Sequence, residues 1–583
     1  MIFCTESDLY KDNKNNLGGR NIFDLINFDI ADAILISDLN LLDNQLKEKL
    51  INGAKVRNIP ALMLEGDCED CYCLKFNQAE GFEAIVRHVV EHHKTKKIHF
   101  MGGRIDSPQS NERLEALQKV LKEKKIHFDN TMISYGDFWE QPTISATQKI
   151  INSGSLPRAI ICANDKMAIT VISVLHHNGI RCPEDVIVTG FDGINEILFT
   201  NPKITSALCD YKKLGEETAN YLLEIISNKN APKHRNVPAT FFKAESCGCK
   251  LKFSENTIDY ISSITEAYNR YRAEDVSLNN MSVLIHDAKS IEEIENALTN
   301  NLLYNVMCCL KPECLNPNLN PNQSYTESVY GEEMFLLFDS DNPNYKQFRN
   351  FKTKSMLPNI DYILSHYMMP LIFTPINDIS LPLGYLCFFF CNYDKQNYTK
   401  VGQIASWMSN AISGYRNMQY QRHLQKKIEE IYSHDNLTGL LNRNGFLNIY
   451  EKLLQNDEIQ NITLAMCDLD NLKFINDTYS HSEGDSAIHV VAKALESAIE
   501  EGFFCRYGGD ELIALYPTEV NSEELENKIS EYLCDYNKTS NKPYSVTTSI
   551  GIYSAKKCSF DEMFKKADDL MYENKKTKKN FRC

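Results

Sequence analysis

From residue 1 to about residue 250, short apolar runs alternate with stretches whose apolar positions recur every three or four residues. Apolar runs closed by glycine suit buried parallel strands, and the periodic stretches suit the helices that cross back between them. Ile98-His99-Phe100-Met101 reads as such a strand, ended by Gly102-Gly103, and residues 110–124 follow with Leu114, Leu117, Val120 and Leu121 on one face. The unit repeats as Ala159-Ile160-Ile161-Cys162, a helix over 165–177, Gly179, then Val186-Ile187-Val188 running into Gly190-Phe191-Asp192. The pattern predicts an α/β domain over 1–250 with ligands at the carboxyl ends of its strands, where Arg104, Asn164, Asp165 and Asp192 fall.

Residues 251–399 read differently: an initial helix, an Asn/Pro-rich interruption at 315–323, and strands ending in Leu371-Ile372-Phe373-Thr374-Pro375 and in residues 384–390. This predicts a smaller α+β module whose last-strand Phe and Cys residues are core. Over 400–434 a helix carries Ile404, Met408, Ala411, Tyr415 and Met418 at heptad-like spacing, loses the stripe at Arg422, and resumes out of step at Leu424, Ile428 and Ile431. The stripe predicts a parallel dimerisation stalk, with packing on the preceding module as the competing reading.

Beyond residue 435 the alternation returns. Residues 463–467 form an apolar strand ended by Asp468, and strands at 503–507 and 512–515 flank Gly508-Gly509. Glycine there is expected to supply positive φ for a hairpin turn and to let a ligand approach the backbone. Asp510 and Glu511 follow the turn. Carboxylates from two strand tips repel unless a divalent cation lies between them, and Mg²⁺ prefers oxygen donors together with substrate phosphates. That equipment suits phosphoryl or nucleotidyl transfer.

Composition narrows the classes. At about 100–200 residues per domain, 583 residues imply several compact units, and 43% hydrophobic with 24% charged residues excludes wholesale disorder. Lys and Arg total 62 against 78 Asp and Glu, a formal net charge of −16, which argues against nucleic-acid or membrane-surface partners. The longest apolar run, residues 385–391, is far below the ~20 residues of a membrane span. With no signal segment opening the chain, a cytoplasmic protein is expected. The 19 cysteines are scattered and expected to be reduced. Cys68, Cys71 and Cys73 are the one dense group; a metal there would need Cys247 or Cys249 as a further ligand, and an ordinary thiol-rich segment is the favoured reading.

Residues 162–168, Cys-Ala-Asn-Asp-Lys-Met-Ala, together with Gly190-Phe191-Asp192, resemble the ligand-binding core of the lac-repressor family and its periplasmic-binding-protein relatives. The resemblance implies that Asp165 and Asp192, with Arg113 on the intervening helix, face a cleft between two lobes that takes an unidentified small molecule. No helix-turn-helix precedes this region, and the chain starts where such a domain would be at its second strand, so the first strand and helix are expected to be missing. A degenerate cleft that only transmits dimer contacts is the alternative. Strand order and the Leu383-Gly384-Tyr385 step of the middle module resemble a GAF-type sensor.

Residues 435–443 (Asp-Asn-Leu-Thr-Gly-Leu-Leu-Asn-Arg), 468–477 (Asp-Leu-Asp-Asn-Leu-Lys-Phe-Ile-Asn-Asp) and 506–512 (Arg-Tyr-Gly-Gly-Asp-Glu-Leu) are similar to the GGDEF family of diguanylate cyclases, over 435–583. The expected architecture is thus multidomain α/β: a periplasmic-binding-protein-like domain, a GAF-like α+β domain, a helical stalk and a C-terminal α/β nucleotidyl cyclase-like domain. The resemblance implies condensation of two GTP into cyclic di-GMP by a homodimer. It implies that Asp468, the Leu469 carbonyl, Asp510 and Glu511 hold Mg²⁺ or Mn²⁺, with Asp510 also the base. It assigns Asn476 and Asp485, with nearby His481, to guanine, and Lys575 and Lys579 to phosphate; Lys473, shortly after Asp468, is placed to neutralise developing phosphate charge, and Gly508 and Gly509 to let substrate approach closely. Lys578 and Lys579 stand where the family usually has Gly and Arg, which exchanges a bidentate contact for a point charge. The Arg-x-x-Asp feedback motif of many relatives is replaced by Ile499 and Gly502. A non-catalytic GTP- or cyclic-dinucleotide-binding module is the alternative reading, and a hybrid cyclase accepting ATP is disfavoured by Asp485.

Overall fold

The apolar runs of the N-terminal region become two four-stranded sheets, both wholly parallel. One runs in the order His234–Pro238, Tyr72–Asn77, Ala61–Leu64, Ile34–Ser37, and the other in the order Ile133–Tyr135, Ile98–Gly102, Ala159–Cys162, Ile187–Thr189. Helices follow strands because their starts are capped: the Asn164 side chain accepts from the Met167 N–H at 2.9 Å and opens Asp165–His177, and Ser107 caps Pro108–Glu123. These are the lobes of an α/β domain of the expected kind. The computed structural model of the chain describes all residues except 5–16, 39–40, 42, 228–229, 252–256, 303, 324–328, 343, 367–368, 379–380, 391–394, 500 and 581–583. The chain divides into two units, residues 1–316 with 321–415, and residues 317–320 with 416–583.

The middle module is a six-stranded sheet ordered Ile2–Phe3, Leu371–Asp378, Leu381–Phe389, Val306–Leu310, Glu333–Asp339, Asn350–Lys352. Cys387, Phe388 and Phe389 are buried in it. Two expectations are corrected here. Ile2 and Phe3 pair in parallel with Ile372 and Phe373, and Ile22 and Leu25 lie in this module's core, so the first residues belong with the middle sheet rather than with a domain spanning 1–250. The stalk is likewise shorter than 400–434. One helix runs Lys395–Ser433, but Ile404, Met408, Ala411 and Tyr415 are buried in the middle module's core, so that half of the stripe is spent within the chain. Ile428 and Ile431 remain about two-thirds exposed, at 65% and 64%.

The C-terminal unit is an antiparallel sheet ordered Phe503–Arg506, Glu511–Tyr516, Asn461–Leu469, Thr548–Lys556. Its central strand is apolar on both faces, as the period of two requires when both are covered. Ala465, Cys467 and Leu469 join the core under helices His481–Ala498 and Ser522–Thr539. Ile462, Leu464 and Met466 join the core under Arg443–Gln455 and Phe560–Asn580. No helix among the described residues is long and apolar enough to cross a membrane.

Cys247 and Cys249 do not join the Cys68 group, in keeping with the favoured reading of an ordinary thiol-rich segment there. Cys71 and Cys73 are buried in the small core of the first lobe, while Cys247 and Cys249 lie against His88 and His93.

Candidate active site

The strand alternation that buries Leu464 and Met466 carries Asp468 to the same face, toward the helix Phe560–Asn580. There Lys575 Nζ meets Asp468 Oδ1 at 2.5 Å. Glu511 is the direct cross-strand partner of Asp468, and the Leu469 N–H donates to the Asp510 carbonyl at 3.0 Å. Asp468, Leu469, Asp510 and Glu511 are thus brought together at one end of the two inner strands. The Asp510 carboxylate makes no hydrogen bond or ion pair among the described residues. Burial first, then the neighbouring Asp510 and Asp470, raises the Asp468 carboxyl against the opposing pull of Lys575. Burial, then Asp510 and Asp468, also raises Glu511. Burial works against the Lys575 ammonium, but its bond to Asp468 and the nearby acids raise it overall.

The glycine turn needs a different account from the expected one. Neither Gly508 nor Gly509 has positive φ, so the turn does not demand glycine for its backbone. The Tyr507 and Gly508 N–H groups both donate to the Glu511 carbonyl, at 2.9 and 3.3 Å, and close the turn by themselves. A Cβ on Gly509 would meet nothing within 4 Å, and one on Gly508 would stand 3.1 Å from Glu511 Oε2. The glycines therefore leave open space over the acidic tip rather than relieve strain.

On the neighbouring helices, Asn476 lies in Leu472–Thr478 and His481 and Asp485 in His481–Ala498. Gly484 is buried where a Cβ would collide with Asn476 Oδ1, so this glycine lets the two helices close and sets Asn476 beside the turn that bears Asp485. Ser480 caps that helix by accepting from the Glu483 N–H, and Glu483 is pinned by Lys542 Nζ at 2.6 Å and by the Tyr544 hydroxyl at 2.6 Å. His481, Asp485 and Lys473 are exposed on the surface. Lys579 belongs to the helix Phe560–Asn580, and its side chain lies outside the described residues.

Three residues given no role from the sequence help build the tip. Arg506 donates to the Gly509 carbonyl at 2.9 Å and pairs with Asp435 at 3.3 Å, tying the start of the domain to the glycine turn. Asp470 accepts from the hydroxyls of Thr547 and Ser549 at 3.1 and 2.9 Å, which fixes the end of the central strand. Lys578 donates to the Thr548 carbonyl at 2.6 Å. Arg506 and Asp435 stand inside the quoted motifs, but nothing in their spacing shows that they meet.

In the N-terminal domain, Asp165 is fully enclosed and accepts from the Gly193 and Ile194 N–H groups at 2.6 and 3.0 Å and from the Ser206 hydroxyl at 2.6 Å. Burial, chiefly, pushes its carboxyl up to about 7. Arg113 bonds Gln78 Oε1 at 3.0 Å and Asp192 Oδ1 at 3.2 Å and stacks 4.2 Å from the Phe191 ring. Arg113 and Asp192 thus share one polar network, and Asp165 anchors the loop after Asp192.

Residues 432–581 match the family described as diguanylate cyclase, GGDEF domain, and residues 86–247 match the periplasmic binding protein-like domain. The diguanylate cyclase DgcM of Escherichia coli is 35% identical over 165 residues, 27% of this chain and 40% of that protein. The HTH-type transcriptional repressor PurR of Vibrio atlanticus is 28% identical over 235 residues, 40% of this chain and 67% of that protein. A solved lac repressor dimer bound to operator and an anti-inducer aligns at 23% identity over 37% of this chain and 64% of that one, with a TM-score of 0.34. The chain spans between 40% and 67% of the length of the curated PurR repressors it is similar to. It carries a GGDEF domain homologous to diguanylate cyclases in its C-terminal part, behind a periplasmic-binding-protein-like domain.

Proposed function

We propose that the C-terminal domain condenses two GTP into cyclic di-GMP with release of two pyrophosphates, as a homodimer in the cytoplasm. The observation that carries this reading is the acidic tip itself: Asp468 directly opposite Glu511, Asp510 beside them with no partner for its carboxylate among the described residues, and open space over Gly509. Like charges facing each other across a sheet are destabilising, and an all-oxygen donor set of this kind suits Mg²⁺ or Mn²⁺. Asp468, the Leu469 carbonyl, Asp510 and Glu511 would hold it. Such a cation neutralises phosphate charge and polarises the phosphate under attack.

The remaining steps fall to the chain. Asp510 takes the proton of the attacking 3′-hydroxyl. Lys473, Lys575 and Lys579 meet the phosphates, and Lys575 exchanges the Asp468 carboxylate for phosphate when substrate arrives. Asn476, His481 and Asp485 face guanine, where a carboxylate accepts from the ring N–H and the exocyclic amine together. Each domain carries one GTP, so two hydroxyls reach two α-phosphates only when two domains face each other. The Arg113 and Asp192 network of the N-terminal domain takes a small molecule, the GAF-like module relays or adds a signal, and both bias the pose of the paired cyclase domains through the helix ending at Ser433. No nucleic-acid or membrane partner is proposed for a chain of net charge −16.

The test is incubation of the purified full chain with GTP and Mg²⁺ or Mn²⁺, with products read by mass spectrometry. Cyclic di-GMP is the expected product. GTP binding without dinucleotide under either metal would replace the cyclase by a nucleotide-binding module.

A further inference from the structure

A second donor cluster, of different chemistry, lies in the periplasmic-binding-protein-like domain. The helix Gln78–Arg87 continues as one π-helical turn, His88–His92. The His93 N–H donates to the His88 carbonyl at 3.4 Å, the five-residue step of a π turn. Five residues span about 1.4 turns of an α-helix and would point to different faces. The π turn brings them to one face, and the two Nε2 atoms stand 3.1 Å apart.

Across from them, Cys247 ends the short turn Glu245–Cys247, and Gly248 follows at φ 93°. Glycine enters that left-handed region without a Cβ penalty, and the reversal returns Cys249 to the side of Cys247. Their Sγ atoms lie 3.4 and 3.5 Å from His88 Nε2, and Cys249 Sγ lies 3.7 Å from His93 Nε2. All four donor atoms fall within 4.8 Å of one another.

Zinc bonds of about 2.0–2.1 Å to nitrogen and about 2.3 Å to sulfur give a tetrahedron with edges of about 3.3 Å between nitrogens and about 3.6 Å between nitrogen and sulfur. The observed separations lie close to those edges. We propose that His88, His93, Cys247 and Cys249 form a two-cysteine, two-histidine site for Zn²⁺. Thiolate and imidazole donors select zinc over Mg²⁺ or Ca²⁺, and four protein donors leave no position for a substrate, so the site is structural. The His88 ring is held from outside by stacking on His92 at 4.9 Å and by Phe241 at 5.0 Å, as ligand rings in metal sites are fixed by their surroundings. The ion would clip residues 247–249, the last stretch of the domain before the helix Thr257–Asp287, to the end of the Gln78–Arg87 helix. The proposal does not depend on the cyclase reading.

The experiment is metal analysis of the untagged full chain purified without chelator. About one zinc per chain is expected, retained by Asp510→Ala and Cys68→Ser and lost in Cys249→Ser and His93→Ala. Chelator-stripped wild-type protein loaded with Co²⁺ should show intense tetrahedral d–d bands with thiolate charge transfer, a readout that stands even where a variant misfolds. Zinc should also slow hydrogen exchange in peptides covering 88–93 and 245–249. Four results would overturn the site: stripped protein that takes up neither metal, octahedral Co²⁺ spectra, full zinc content in folded Cys249→Ser, or a Cys247–Cys249 disulfide in the fresh protein.

Discussion

The carboxylate of Asp165 is enclosed and takes three hydrogen bonds from Gly193, Ile194 and Ser206, whereas that of Asp510 takes none among the described residues. Lys473 likewise stands exposed with no ion pair among the described residues. Charge used to hold a loop is matched inside the protein, because an unmatched buried charge is costly. The Asp510 carboxylate, by contrast, stays open at a strand tip.

The sharpest break of the contrast is Asp510→Ala. Turnover of GTP should fall by at least about 10²–10³-fold, with thermal unfolding unchanged; near-normal turnover would show that the open carboxylate is idle. Asp165→Ala should do the reverse. It strands two backbone N–H groups and a hydroxyl, so about 3 kcal/mol of stability should be lost, read by urea unfolding and by hydrogen exchange of peptides from residues 86–247.

Gly509→Val probes the space over the tip. The turn needs no positive φ and a Cβ meets nothing there, so stability should stay within about 0.5 kcal/mol while KM for GTP rises at least about tenfold. A loss of stability with unchanged KM would return the glycine to a purely structural role. Lys575→Met removes the cation that holds Asp468 down. The carboxylate must be ionised to accept a metal, so a higher proton affinity shifts the acid limb of the kcat/KM profile to higher pH; KM for GTP should rise about fivefold, near 1 kcal/mol. The smallest effect concerns feedback. Ile499 and Gly502 offer neither guanidinium nor carboxylate, and a Cβ on Gly502 would already lie 2.7 Å from the Tyr516 ring. Added cyclic di-GMP should leave the initial rate at saturating GTP unchanged; strong non-competitive inhibition would reveal a product site elsewhere.

The legible parts of the molecule are those written in adjacent residues. The alternation of residues 462–469 assigns each side chain to a face, and together with Gly508 to Glu511 it locates the acidic tip. The same local logic identifies the Ala159–Cys162 strand and the Asp165–His177 helix. An apolar stripe states what is buried but not against what. Ile404 to Tyr415 therefore read as a dimer seam although the middle module covers them, and Ile2 and Phe3 carry no sign of pairing with Ile372 and Phe373.

What the sequence by itself determined is the set of local elements and the motif at their tips, because periodicity and turn chemistry act over a few residues. Tertiary structure alone decided that Lys575 closes on Asp468, 107 positions away, and that Arg506 reaches back 71 positions to Asp435. It also decided that Cys247 meets His88 across 159 positions rather than joining the cysteines of the first lobe. Such pairings depend on how helices lie on sheets, where many partners are equally compatible with one stripe or one donor, and only the packed core selects among them.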